Sequence, residues 1–570
     1  MSFLKNPTRL DVLTAFIFTV LITLHPFYLH GKINLFELGI YLPGINALLD
    51  GLVPYRDFFH LRGSLELYIP AFFMRIFGEH LGVLSAYFYV GTIITLIIGL
   101  LIAKDLFKTR LIFCLFVPVF IARTFPRVAF TFWGGIRYGF GLLAIFLIIF
   151  AFKRRRSVWC VFSGIISVLA LLTSVEIGVC SIASIFATFI FAICFSLYSK
   201  KEIPRLIVSY IQGLAIVLIP YGMYLFWTGS IVSYFDSVCS VINIMKNVFP
   251  DTSFSDHPNG FLESLLAMNP FSRHFKHLTP VYCYLFFLGY LILRIKRKKL
   301  NYSDLPIVLV AIYGFMMYVL AFRKLGAMQF EMALQPEKLL LFFLLERTFF
   351  FINEKKNALE TTMSSIKNKK DRIFCCSKIY GINFLIFSLI MSSLGYSIAR
   401  YNHRFFAYKY VKNLITRRGT EQLIPLSDQK SEQLNLPRVS GMVVPSWQAQ
   451  DINQLTEFIQ SNTKPNDPVF MFPELGSYSF IVDRPFIGRF PMATFSWFGN
   501  WHEELYQDLA KAEPSIAVVS KDPGPFFEKV YFQVQQNKKS YDRITAYIED
   551  KYDLVGTTPS LLIYRVKVDG

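Results

Sequence analysis

What the chain has least of is charge. Charged residues fill only 17% of its 570 positions while 54% are hydrophobic, whereas an ordinary soluble domain is roughly 25% charged. Uncharged apolar runs of roughly 18 residues or more recur along it, which excludes a soluble protein with a large aromatic core. Cysteine is scarce as well: eight residues, Cys114, Cys160, Cys180, Cys194, Cys239, Cys283, Cys375 and Cys376, with none after Arg400. That excludes a disulfide framework, and without a C-x-x-C pair there is no structural zinc motif. Negative charge is the scarcer sign, 39 Asp and Glu against 58 Lys and Arg, and residues 111–152 contain no acid at all.

A net charge of +19 would suit a nucleic-acid binder if it lay on one polar surface. It does not. From Arg400 onward there are 20 basic and 19 acidic residues, so the excess, 38 against 20, belongs to the apolar part. Apolar runs bounded by charge predict eleven spans, near 12–29, 81–103, 111–123, 137–152, 157–174, 177–199, 206–227, 280–293, 305–322, 339–353 and 379–399. The first is followed by no small-residue cleavage site and reads as a retained helix. The connections fall into two sets. Segments 1–11, 104–110, 153–156, 200–205, 294–299 and 355–378 hold 24 Lys and Arg in 58 residues, and segments 30–79, 123–137, 228–279 and 323–338 hold 13 in 133. Basic residues stay on the cytoplasmic side during insertion, so the first set faces the cytosol. An odd number of spans then places everything after Arg400 outside, in a bacterial-type cytoplasmic membrane.

Two units follow: an all-α polytopic membrane domain over 1–399 and an extracytoplasmic α/β domain over 400–570. In the tail, Ile452, Leu455, Phe458 and Ile459 recur at helical spacing, as do Ile544, Tyr547 and Ile548, while 468–472, 515–520 and 561–566 read as strands. The first outer loop is apolar but broken by Gly44, Gly51, Pro54, Gly63, Pro70 and Gly78. Two short helices along the membrane interface, near 38–50 and 64–77, fit it better than another crossing. Glu346 and Arg347 lie about two turns from the inner end of the tenth span, where pairing or snorkelling accounts for them.

Three stretches carry a resemblance. Glu37 follows the first span, then comes G-x-x-P-Y-R-D-F at Gly51–Phe58 and a closing Phe77–Gly78; W-G-G-I-R-Y-G-F-G spans Trp133–Gly141; T-S-V-E-I-G spans Thr173–Gly178. Together they resemble the polytopic GT-C glycosyltransferases, in particular the protein-mannosyltransferase and aminoarabinose-transferase type that use polyprenyl-phosphate sugars. The resemblance implies transfer of a sugar from such a lipid-linked donor to a lipid, glycan or protein acceptor at the outer face, with no nucleic-acid partner. Glu37 is then the expected catalytic general base, with Asp57 the runner-up for that role, because an acceptor hydroxyl must lose a proton. Arg56, Arg62, Arg137 and Arg323 are the expected grips for the donor phosphate, whose oxygens suit a forked guanidinium. No cofactor is required, though His60, His257 and His274 leave room for a divalent metal. A transporter or flippase of lipid-linked substrates and a non-enzymatic envelope assembly protein are the alternatives. The sidedness is checked by cysteine labelling of intact cells: Asp57→Cys and the tail react from outside, and Arg154→Cys only after permeabilisation, whereas the reverse pattern would overturn the topology.

Overall fold

The computed structural model describes residues 5–23, 33–124, 135–198, 202–248, 275–322, 333–365, 431–524, 527–528 and 530–567, plus scattered positions between 380 and 416. The membrane part is a run of helices: α1 (Arg9–Thr23), then α2 (Leu35–Gly39), α3 (Leu42–Leu49) and α4 (Leu65–Phe77) of the first outer loop, then α5 (Leu81–Leu106), α6 (Arg110–Thr124), α7 (Gly135–Arg154), α8 (Val158–Thr173), α9 (Val175–Cys194) and α10 (Glu202–Trp227). It continues with α11 (Ile231–Asn247), α12 (Phe275–Lys296), α13 (Leu305–Phe322) and α14 (Gln335–Ser365). Among the described residues five helices, α5, α7, α9, α10 and α13, are long and apolar enough to cross a membrane. Helices α6 and α8 are apolar but shorter, and α14 carries Glu337, Lys338, Glu346 and Arg347 along its length. The expected span at 379–399 falls almost wholly outside the described residues.

Close helix contacts are made where side chains vanish. A Cβ on Gly164 of α8 would lie 2.4 Å from the Tyr210 carbonyl oxygen of α10, and one on Gly213 would lie 2.1 Å from that of Val161. The two backbones touch, as small residues allow between apolar helices. Helix α14 is tied to the start of α6 by Glu346, whose Oε1 accepts from the backbone N–H groups of Lys108 and Thr109, both at 2.8 Å, and from the Thr109 hydroxyl at 3.0 Å. Those amide groups precede the first turn of α6 and would otherwise be orphaned. The buried Glu346 is therefore a helix cap.

The tail holds a short hairpin of β1 (Ser431–Gln433) and β2 (Val443–Pro445), and a four-stranded sheet of β3 (Phe470–Phe472), β4 (Ile516–Ser520), β5 (Tyr552–Thr557) and β6 (Leu561–Val566). The sheet order is β3-β4-β6-β5, parallel between β3 and β4 and antiparallel elsewhere. Helices α15 (Ser446–Asn462), α16 (Gly476–Val482), α17 (His502–Ala512) and α18 (Gln535–Lys551) complete it. The sequence reading missed β5, a polar edge strand that leaves α18 without a loop.

The first outer loop and the tail share one core. Leu38, Tyr41, Ile45, Phe58, Phe59 and Leu67 belong to the same buried cluster as Ile452, Phe472, Val482 and Trp497, apart from the cluster between the membrane helices. Six of the eight residues of α3 are buried, so its apolar face meets protein where a helix lying on lipid was expected. Helix α4 differs, with Phe72, Ile76 and Phe77 exposed, as an interfacial helix requires. Polar ties fix the seam. The Gln448 amide donates to the Ile33 carbonyl at 3.0 Å and accepts the Ile33 N–H at 2.8 Å. Arg438 donates to Asn46 Oδ1 and the Phe480 carbonyl and pairs with Glu79 and Asp483. Arg438→Ala should cost about 2–3 kcal/mol and make the tail the first region cut in limited proteolysis; unaltered melting and cleavage would deny it that role.

Candidate active site

The site begins at a glycine. A Cβ on Gly63 would lie 2.0 Å from the Leu172 carbonyl oxygen at the end of α8, so the chain leaving the outer loop is pressed against the T-S-V-E-I-G turn. Two of the stretches singled out in the sequence therefore meet at this point. The third arrives through Arg137 in the first turn of α7.

Glu66, in the first turn of α4, gathers the charges. Its Oε1 accepts from the Tyr41 hydroxyl at 3.0 Å and from Arg62 Nη1 at 3.1 Å, and Arg137 Nη1 lies 3.6 Å away. Arg62 also donates to the Tyr41 hydroxyl and lies with its Cζ 5.3 Å from the Tyr41 ring centre. Arg137 stands likewise over Tyr138, at 5.0 Å. Glu66 is 3% exposed and Arg137 6%. Its second oxygen, Oε2, is buried without a hydrogen-bond partner among the described residues. Burial alone would lower the pKa of Arg62, but Glu66, Tyr41 and Glu37 outweigh it and hold the guanidinium charged. Burial, in turn, pushes the Tyr41 hydroxyl up.

Glu37 sits on α2, its backbone N–H bonded to the Asn34 cap at 3.2 Å and its side chain 5% exposed. It acts electrostatically on Arg62 and Tyr41 on one side and on Tyr531 of the tail on the other. Burial and the nearby Glu474 push the Tyr531 hydroxyl up, and its ring packs against Trp497 at 5.2 Å. Gly39 of the same helix faces Ser477 and Met492, so the tail roofs the carboxylate.

Of the expected residues, Arg62 and Arg137 come together on Glu66, and Glu37 acts on the Arg62 charge. Arg56 and Asp57 do not join them: they pair with each other at 2.6 Å on a partly exposed turn, and Asp57 accepts the Val53 N–H at 2.7 Å. Arg56 holds the Asp57 carboxyl below the usual carboxylate range. Arg323 lies outside the described residues. Glu66 and Tyr41 were missed. The available signal was the four-residue spacing from Arg62 to Glu66 at a helix start.

Among the described residues no three His, Cys, Asp or Glu side chains gather as a metal ion needs, and His257 and His274 fall outside them. The residues described do not by themselves fit a metal.

No protein-family profile matches the chain, and neither does any curated protein sequence. Solved structures resemble it along nearly its whole length, two of them as follows. One is ArnT from Cupriavidus metallidurans in the apo state, at 11% identity and a TM-score of 0.49, covering 97% of each chain. The other is the Archaeoglobus fulgidus oligosaccharyltransferase tethered to an acceptor peptide containing the NVT sequon, at 10% identity and a TM-score of 0.46, covering 98% of this chain and 74% of that one. Both are GT-C glycosyltransferases. At such identities neither likeness assigns a role to any residue here.

His60 supplies a pH test. Burial, helped by Arg62 and opposed by a backbone hydrogen bond at Gly63, depresses its imidazole to about 3, and its Nε2 atom has no hydrogen-bond partner among the described residues. The unfolded chain takes up this proton near 6.5 and the folded protein does not. Stability from His60 is thus complete above about 6.5 and is lost as pH falls toward 3. His60→Phe should flatten that part of the melting-temperature profile; parallel profiles would show that the imidazole does not set it.

Proposed function

We propose that the chain is a membrane glycosyltransferase that moves a sugar from a polyprenyl-phosphate donor to a lipid, glycan or protein acceptor. The observation that carries this reading is the buried gathering of two guanidinium groups and two carboxylates beneath the tail, at the junction of the first outer loop with α7 and α8. In this reading the chain crosses a bacterial-type cytoplasmic membrane eleven times. Residues 1–399 form the catalytic membrane domain, and residues 400–570 form an outer domain that closes over the site.

The reaction needs a base, an anion grip and an enclosure. Glu37 takes the proton of the acceptor hydroxyl, whose oxygen attacks the anomeric carbon as the bond from that carbon to the phosphate oxygen breaks. The bonding pair leaves with the phosphate, and the configuration inverts. Arg62 and Arg137 neutralise the growing charge on the leaving polyprenyl phosphate, an electrostatic contribution that is strong where water is excluded. Glu66 holds both guanidinium groups in position and offsets the cost of burying them. No cofactor is required for this step.

A carrier would place ionisable residues along broken helices at mid-membrane. Here, among the described residues, the buried Glu337–Lys338 pair lies in the first turn of α14 and Glu346 caps α6. That distribution favours the enzyme. The test is turnover of the purified protein with undecaprenyl-phosphate sugars and membrane glycolipid. Glu37→Gln should lower kcat by at least about 100-fold with little change in KM; unchanged turnover would remove Glu37 from the reaction, and no transfer by the wild type to any acceptor would sink the proposal.

A further inference from the structure

Five tyrosines, from the turn before α4 and from α4, α10 and α11, are linked beside Arg62. The Tyr55 and Tyr234 rings meet edge to face at 5.1 Å, Tyr234 and Tyr221 at 6.0 Å, and Tyr221 stacks on Tyr224 at 6.1 Å. The hydroxyls of Tyr68 and Tyr224 are 2.7 Å apart, and Tyr221 reaches the Ser64 hydroxyl at 3.1 Å. Tyr55 donates to the Arg62 carbonyl at 2.6 Å. Its φ of 70° places a bulky residue in the left-handed region, strain of the kind that gathers at ligand-binding turns.

The composition makes the choice of residue informative. The chain has 60 Phe and 30 Tyr, and packing alone asks only for a ring. Five of the rings in this chain of contacts carry a hydroxyl, and Phe235, 5.5 Å from Tyr234, ends it. Ring faces suit the C–H face of a pyranose, and the phenolic hydroxyls exchange hydrogen bonds with sugar hydroxyls. Arg56, with its partner Asp57, stands within reach of Tyr224 at the partly exposed rim.

We propose that the tyrosine cluster of Tyr55, Tyr68, Tyr221, Tyr224 and Tyr234 is the subsite for the sugar of the lipid-linked donor. It rests on the glycosyltransferase reading, because a sugar joined directly to a phosphate held by Arg62 lies within one ring of that guanidinium. The subsite selects sugar-bearing from sugar-free carrier. Spent carrier, having lost its sugar, loses these contacts and is released in preference to the donor.

The experiment measures binding of undecaprenyl phosphate and of its mannosyl, glucosyl and galactosyl phosphodiesters to the full chain in nanodiscs. The wild type should bind at least one sugar-bearing lipid about tenfold more tightly than undecaprenyl phosphate. Tyr221→Phe/Tyr224→Phe keeps the rings and should cut that preference several-fold; Tyr221→Leu/Tyr224→Leu should abolish it, with undecaprenyl phosphate bound as before. If the leucine variant fails to fold, the phenylalanine variant decides. A preference unchanged in the phenylalanine variant, or a wild type that binds the phosphate and gains nothing from any of the three sugars, overturns the subsite and leaves the phosphate site standing. A wild type that binds none of the lipids overturns the glycosyltransferase reading and the subsite with it.

Discussion

Buried charge is the constraint around which the half of the molecule next to the tail is arranged. A guanidinium withdrawn from water loses several kcal/mol of solvation, and an opposite charge recovers this only in good geometry. Glu66 meets Arg62 from its own loop and Arg137 from α7, so one carboxylate fixes the loop to the membrane helices. Gly63 is required for the same reason, since any side chain there would drive the loop off the Leu172 carbonyl and pull the ions apart. The polar cluster and the close backbone approach support one another.

Above that cluster, the hydrophobic effect does the rest. Phe59 is buried among Phe490, Phe495 and Trp501 of the tail, a placement that contributes about 2–3 kcal/mol by area alone. The tail thereby packs over the loop that carries Phe59. Its exclusion of water strengthens every interaction among Glu37, Glu66, Arg62 and Arg137.

Regular periodicity was what could be read from sequence. The run at 305–322 coincides with α13 to the residue, and 561–566 with β6, because an uninterrupted apolar pattern depends little on its neighbours. Patterns that depend on a partner were opaque. Helix α3 is as apolar as an interfacial helix, and only the presence of α16 against it decides what it faces. The same holds within the site. Glu37, Arg62 and Arg137 were expected from the loop and motif positions, whereas Glu66 lies in an apolar helix with only its four-residue spacing from Arg62 to mark it, and Arg137, 71 positions later, meets it only in the fold. Asp57 sits in the sharpest motif, yet its geometry is that of a turn clasped by its own neighbour.

The amide pairing of Gln448 with Ile33 has a bearing on biogenesis. Ile33 emerges from the ribosome 415 residues before its partner, so the apolar face of the loop that follows it is made long before the polypeptide that will cover it. During that interval Phe58, Phe59 and Ile45 lack the tail residues that bury them in the finished fold. Burial of that face therefore waits until Gln448 and the tail around it have been made, and a chain stopped before them keeps an uncovered, aggregation-prone surface.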